Sequence, residues 1–194
     1  MKRFLMTLIV AAVFMATSAQ AANGKLYFAG SAGLTIASDQ EEQGVEVSYD
    51  PGWNITGAVG YDFGRFRVEG EIGYRTFDVD EVSFPGLPTV SLDGDTSALT
   101  FMANAYYDHE LRNSPLTPYI GFGLGIADAD TEVVIPGFGT LKATDTEFAY
   151  QFMAGAGYEV SPTVVVTGGY RFFGVADSGA PDAHEFNLGA RFMF

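Results

Sequence analysis

From Leu26 to the C-terminus, apolar and polar residues alternate with a period of two over most of the chain. That is the pattern of strands with one apolar and one polar face, and no stretch carries the 3.6-residue stripe of an amphipathic helix. Eight strands are predicted, over 26–36, 53–63, 66–77, 99–107, 117–127, 147–159, 164–172 and 185–194. The third is the clearest, because Phe66, Val68, Ile72 and Tyr74 alternate with Arg67, Glu69, Glu71 and Arg75. Connections alternate too. Short ones are expected at Gly64-Arg65, at His109 to Pro115 and at Val160-Ser161-Pro162. Longer loops, rich in Gly, Pro and acids, are expected over 37–52, 78–95, 128–145 and 174–183.

Twelve charged residues fall inside these strands or directly at their ends, among them Lys25, Asp62, Asp108, Glu147 and Glu159, and all share the face opposite the apolar set. Lipid contact produces such a pattern, since Lys or Arg on a lipid-facing position at the midplane costs about 2–4 kcal/mol. A sheet in lipid must also close on itself, because edge amides there have no water to bond. The reading is all-β: an eight-stranded antiparallel up-and-down transmembrane β-barrel, with short turns at one rim and long loops at the other. Aromatic residues gather toward both rims, Tyr61, Phe63, Phe66, Tyr107, Tyr158, Phe192 and Phe194 at one and Trp53, Tyr74, Phe148, Tyr150 and Phe172 at the other, as interfacial girdles do. Alternation alone does not say which face points inward, so a soluble barrel with an apolar pocket stands beside the membrane reading.

The first residues stand apart. Lys2 and Arg3 precede an apolar run from Phe4 to Ala16 and the small-residue site Ala19-Gln20-Ala21. A run of about 13 residues is short of the roughly 20 that span a bilayer, so residues 1–21 are expected to be a cleaved signal peptide and 22–194 the barrel domain. The 24 acids against 10 basic residues, a net charge of −14, leave no footprint for a nucleic acid. The absence of Cys excludes disulfides, thiolate metal sites and cysteine nucleophiles.

The residues Thr117-Pro118-Tyr119-Ile120-Gly121-Phe122-Gly123-Leu124-Gly125, Ala154-Gly155-Ala156-Gly157-Tyr158, Gly169-Tyr170-Arg171-Phe172 and the final strand ending in Phe194 resemble the small eight-stranded outer-membrane barrels. That family includes the outer-membrane protein A transmembrane domain and the opacity-type, porin-family surface proteins. The resemblance implies the outer membrane of a Gram-negative bacterium, contact with lipid and lipopolysaccharide, and insertion by the barrel-assembly machinery. It also implies that Phe186, Leu188, Phe192 and Phe194 form the assembly signal. A monomer with no cofactor is expected, and a surface or host ligand for the loops follows by family analogy only.

Candidate chemistry lies first in the lumen. Arg67, Glu69, Glu71, Arg75, Arg171, Glu185 and Arg191 share the polar face, and in so narrow a barrel they must pair with one another. Arg171 is expected beside Glu185, with Glu69 and Glu71 reaching across. A structural plug is the main reading, a narrow ion-conducting porin the alternative. Gly121, Gly123 and Gly125 are not a phosphate loop, since no helix follows; on the lumen face they make room for the long Arg and Glu side chains. Asp128, Asp130 and Glu132 offer alternating oxygen ligands for a divalent cation in the third loop. Apolar segments around Phe84-Pro85-Gly86-Leu87-Pro88 and Ile135-Pro136-Gly137-Phe138 are candidate loop tips for partner contact. A lipid A-modifying enzyme is the weakest reading: His184 is the one candidate base near the loop rim, and no serine stands two residues beyond it. The chain is therefore read as non-enzymatic, a structural or surface-interaction protein with acidic extracellular loops.

Overall fold

The computed structural model describes residues 24–38, 40–42, 45–83, 90–135, 139–176 and 182–194. The expected signal peptide lies outside them. Ten strands form: β1 (Lys25–Ala37), β2 (Gln40–Glu42), β3 (Val45–Asp50), β4 (Gly52–Asp62), β5 (Phe66–Ser83), β6 (Val90–Asp108), β7 (Leu116–Ile135), β8 (Gly139–Ser161), β9 (Val164–Val175) and β10 (Ala183–Met193). Eight of them are staves of a barrel. β1 pairs with β4, then β4–β5–β6–β7–β8–β9–β10 pair in succession, and β10 returns to β1, every contact antiparallel. β2 and β3 form a small hairpin that docks on the upper part of β5.

The apolar face is the outer one. Leu34, Ile55, Val68, Ile72, Ile120, Phe152 and Leu188 are exposed, while Arg67, Glu69, Glu71, Arg75, Arg171, Glu185 and Arg191 are buried in the lumen. This disposes of the soluble barrel, whose apolar face would line a pocket. The girdles take shape as outward pairs: Trp53 with Tyr74 (ring centroids 5.7 Å apart) and Tyr150 with Phe172 (6.3 Å) at the loop rim, Phe66 with Tyr107 (5.4 Å) and Tyr61 with Phe63 (4.7 Å) at the other.

The short-turn rim is built from local chemistry. Between β4 and β5, Gly64 takes φ +96°, a conformation costly for any residue with a Cβ, and its N–H donates to Asp62 Oδ1 at 2.7 Å. The β8–β9 turn falls one residue beyond the expected place: the strand runs through Ser161, a bulge sits between Glu159 and Ser161, and Pro162-Thr163 make the turn. A proline cannot donate to the ladder and so marks where pairing stops.

The other rim corrects the sequence reading more deeply. Three of the four expected long loops are largely strand. β5, β6, β7 and β8 run 18, 19, 20 and 23 residues, against 13, 11, 12 and 11 for β1, β4, β9 and β10. About 9–11 residues cross a bilayer, so four adjacent staves continue well above it as a sheet. Above the membrane both faces of a sheet meet water, which removes the apolar alternation that reveals a strand inside it. In the fourth expected loop, 174–183, the described strand residues are Gly174, Val175 and Ala183, at its ends. Of the candidate apolar tips, residues 84–89 and 136–138 lie outside the described residues.

Candidate functional site: a charged lumen under a protruding sheet

Successive residues of a strand face opposite sides, so Arg67, Glu69, Glu71 and Arg75 all enter the lumen from β5. Arg171 and Glu185 face them from β9 and β10, as direct cross-strand neighbours. Two ionic clusters result. In the loop-side cluster Glu71 accepts from Arg171 Nη1 (3.2 Å) and Nη2 (2.9 Å), a two-pronged contact across the barrel. It also accepts from Asn104 Nδ2 (3.4 Å) and Gln151 Nε2 (3.3 Å). Glu185 accepts from Arg75 Nε at 2.9 Å and lies 3.6 Å from Arg171 Nη1. Arg75 and Glu185 are both 0 % exposed.

The second cluster lies nearer the short-turn rim. Arg67 donates from Nε (2.6 Å) and Nη2 (3.1 Å) to the two oxygens of Asp108, and from Nη1 to Glu69 Oε1 (3.1 Å) and the Tyr27 hydroxyl (3.2 Å). Tyr27 in turn donates to Glu69 at 2.7 Å. The Arg67 guanidinium lies 4.2 Å above the Tyr106 ring. Arg191 is the loosest member, with Nη1 3.7 Å from Asp108 Oδ2. Glu69 thus stays on its own side of the barrel; of the two glutamates expected to reach across, Glu71 does so. Between the clusters is a cavity of about 70 Å³, lined by charged side chains of both and by the small residues Ala29, Ser31, Thr56, Ala58 and Thr167.

Sequence reasoning set Asp108 on the charged face but left it, with Tyr27, Asn104 and Gln151, out of the lumen network. The signal was there, since each stands on the charged parity of its strand. It also passed over an apolar layer toward the loop rim, where Met102, Ala127, Ala149, Phe173 and Ala183 cluster on the lumen face. The glycines of β7 make room, but for other neighbours than expected. A Cβ on Gly123 would run into Asn104 and Gln151, one on Gly121 into Tyr106, and one on Gly125 into Met102 and the backbone of Phe101. The space therefore serves the amides that orient Glu71. Gly123→Val should destabilise the barrel by about 1–3 kcal/mol through overpacking, measured by urea titration of the folded band on an unheated gel.

The stretch holding Asp128, Asp130 and Glu132 is part of β7, not a loop, and is paired with both β6 and β8. Residues two apart on a strand are about 6.6 Å apart along it, too far to wrap one ion as a tight loop does. Asp128 accepts a hydrogen bond from Thr146, and among the described residues no group of three or more His, Cys, Asp or Glu is placed to hold a metal ion. His184 faces outward, its Nδ1 2.6 Å from the Tyr170 hydroxyl and its ring against Phe172. Phe186, Leu188, Phe192 and Phe194 also face outward, and Phe194 closes the seam: its N–H donates to Leu26 O (2.9 Å) and its ring packs edge-on against Phe28 (5.5 Å).

A closed eight-stave barrel, apolar outside and ionic within, defines an integral outer-membrane protein of the small-barrel class. The family described as outer membrane protein beta-barrel domain matches residues 6–194, and the chain belongs to it. It is 26% identical over 200 residues to outer membrane protein PagN of Salmonella typhimurium, covering 89% of this chain and 83% of that one. Among solved structures it resembles the outer membrane protein OprG of Pseudomonas aeruginosa (TM-score 0.67, 15% identity, 88% of this chain and 96% of that one). It also resembles neisserial surface protein A (TM-score 0.60, 22% identity, 87% and 97%). The protein resides in the outer membrane of a Gram-negative bacterium.

Proposed function

We propose that this chain is a surface-interaction protein, in which a barrel with a lumen cross-braced by ion pairs anchors a protruding sheet that meets an external partner. One observation carries the reading. β5 to β8 rise past their neighbours, and above Ala149, where its pairing with β9 ends at Val175, β8 is paired only with β7 among the described residues. Ala176 N–H still donates to Phe148 O at 2.8 Å, and beyond it residues 139–147 present, among the described residues, one edge of unpaired backbone groups, a template onto which an extended segment adds as a further strand.

The sheet also has a sign. Its register sets Asp50, Asp78, Asp95 and Glu132 in one row across β3, β5, β6 and β7, with Lys142 of β8 at the end. Like charges directly opposite one another weaken a sheet, so folding alone gives no reason for this row. It suits a partner that brings positive charge. Neisserial surface protein A, a surface protein by name, supports the reading by its fold alone. The outward face of the barrel would sit in lipid and lipopolysaccharide, and the C-terminal strand would serve the assembly machinery.

The test is to replace residues 79–94 and 130–144 by short turns and display both forms on bacteria that do not otherwise adhere to host cells. The shortened barrel should still fold, seen as a heat-shifted band, and should lose cell binding that the full chain shows. Equal binding by both would overturn the reading.

A further inference from the structure

The ion pairs are not the only closure of the lumen. On the loop side of Arg75 lies the apolar layer of Met102, Ala127, Ala149, Phe173 and Ala183, one residue from each of β6 to β10, with Val175 packed against it. An eight-stranded barrel is just wide enough for side chains to fill, so a level at which three of five staves offer only methyl groups is filled by whatever large group remains. That group is Phe173, which is 5% exposed, with Met102 beside it. The Arg75 guanidinium carbon lies 3.7 Å from the centre of the Phe173 ring, so a cation supports the aromatic face from within.

Arg75 is buried along with this layer: its Nε is held by Glu185 at 2.9 Å and its side chain is fully buried. The clusters beneath are of another kind. They line a cavity with hydroxyls and charges on its walls, a setting that accepts water readily. Water and ions cross a polar layer by exchanging partners, whereas an apolar constriction excludes them.

We infer that Phe173 is the gate of a closed pore: the ring, seated on Arg75 within a collar of alanines, is what isolates the hydrated lumen from the exterior, and the salt bridges below it are not the tight barrier. The inference goes beyond the surface role, which needs only a stable anchor. It assigns closure to one residue.

The experiment records purified protein in planar bilayers, each variant first shown to be folded by its heat-shifted band. The wild type and Phe173→Trp are expected to be silent. Phe173→Ala is expected to give discrete conductance steps, and Phe173→Ala with Met102→Ala, which removes the other large apolar side chain of the buried layer, is expected to raise the open fraction at least tenfold over the wild type. A folded double variant as silent as the wild type would overturn the inference and leave closure to the ion pairs. So would a wild type that conducts as readily as the variants. Should the double variant not fold, the single Phe173→Ala decides by the same two outcomes.

Discussion

Glu71→Ala is expected to cost about 3–5 kcal/mol of unfolding free energy, the range for removing one partner of a buried ion pair. Glu71 takes both terminal nitrogens of Arg171, at 3.2 and 2.9 Å, from the opposite wall of the barrel. Its loss leaves the Arg171 guanidinium, which cannot discard its charge, with only Glu185 at 3.6 Å, takes the acceptor from the Asn104 amide and leaves Gln151 Nε2 only its bond to Asn104 Oδ1. The double replacement Glu71→Met with Arg171→Met removes both charges and keeps volume, so most of that stability should return. Urea titration of the three forms, refolded into the same lipid vesicles, checks this. A single variant as stable as the wild type would mean that the pair adds no net stability.

Ile72→Arg carries the second large effect. Ile72 lies near the middle of β5, faces outward at 48 % exposure, and pairs with Gly57 and Phe101 on the flanking strands. In a water-soluble protein such an exposed position accepts arginine at little cost. At the midplane of a bilayer it should cost about 2–4 kcal/mol. The same change at Phe63, exposed in the turn at the rim, should cost about 0–1 kcal/mol, because there the charge reaches the interface. Folded yield in vesicles for the two variants, measured side by side, gives the depth dependence directly.

These two predictions sit where the sequence was most and least legible. The outward face of β5 could be read because lipid removes charge from every second position, which leaves Phe66, Val68, Ile72 and Tyr74 as a visible row. Pairing across the lumen could not be read in the same way. Parity says that Glu71 and Arg171 enter the lumen, but the stagger of the staves decides which groups meet, and that accumulates over the whole barrel. Asp108 and Tyr27 sit on the inward parity, yet nothing local shows that they close around Arg67. Phe173 escaped for the opposite reason. It places an apolar ring on the face that alternation assigns to polar residues, beside Phe172 on the other face, so the two read as a break in the pattern. The upper parts of β5 to β8 read as acidic loops because polar alternation in water looks the same paired or unpaired.

The central claim is that this chain is a closed barrel that spans the outer membrane with its apolar face to lipid. The most direct test is to fractionate expressing cells, extract outer membranes, and run boiled and unheated samples side by side on a denaturing gel. The expected result is a band in the outer-membrane fraction that migrates differently before and after boiling, since a closed hydrogen-bonded barrel resists detergent until heated. A band confined to the soluble fraction, with the same mobility in both lanes, would contradict it.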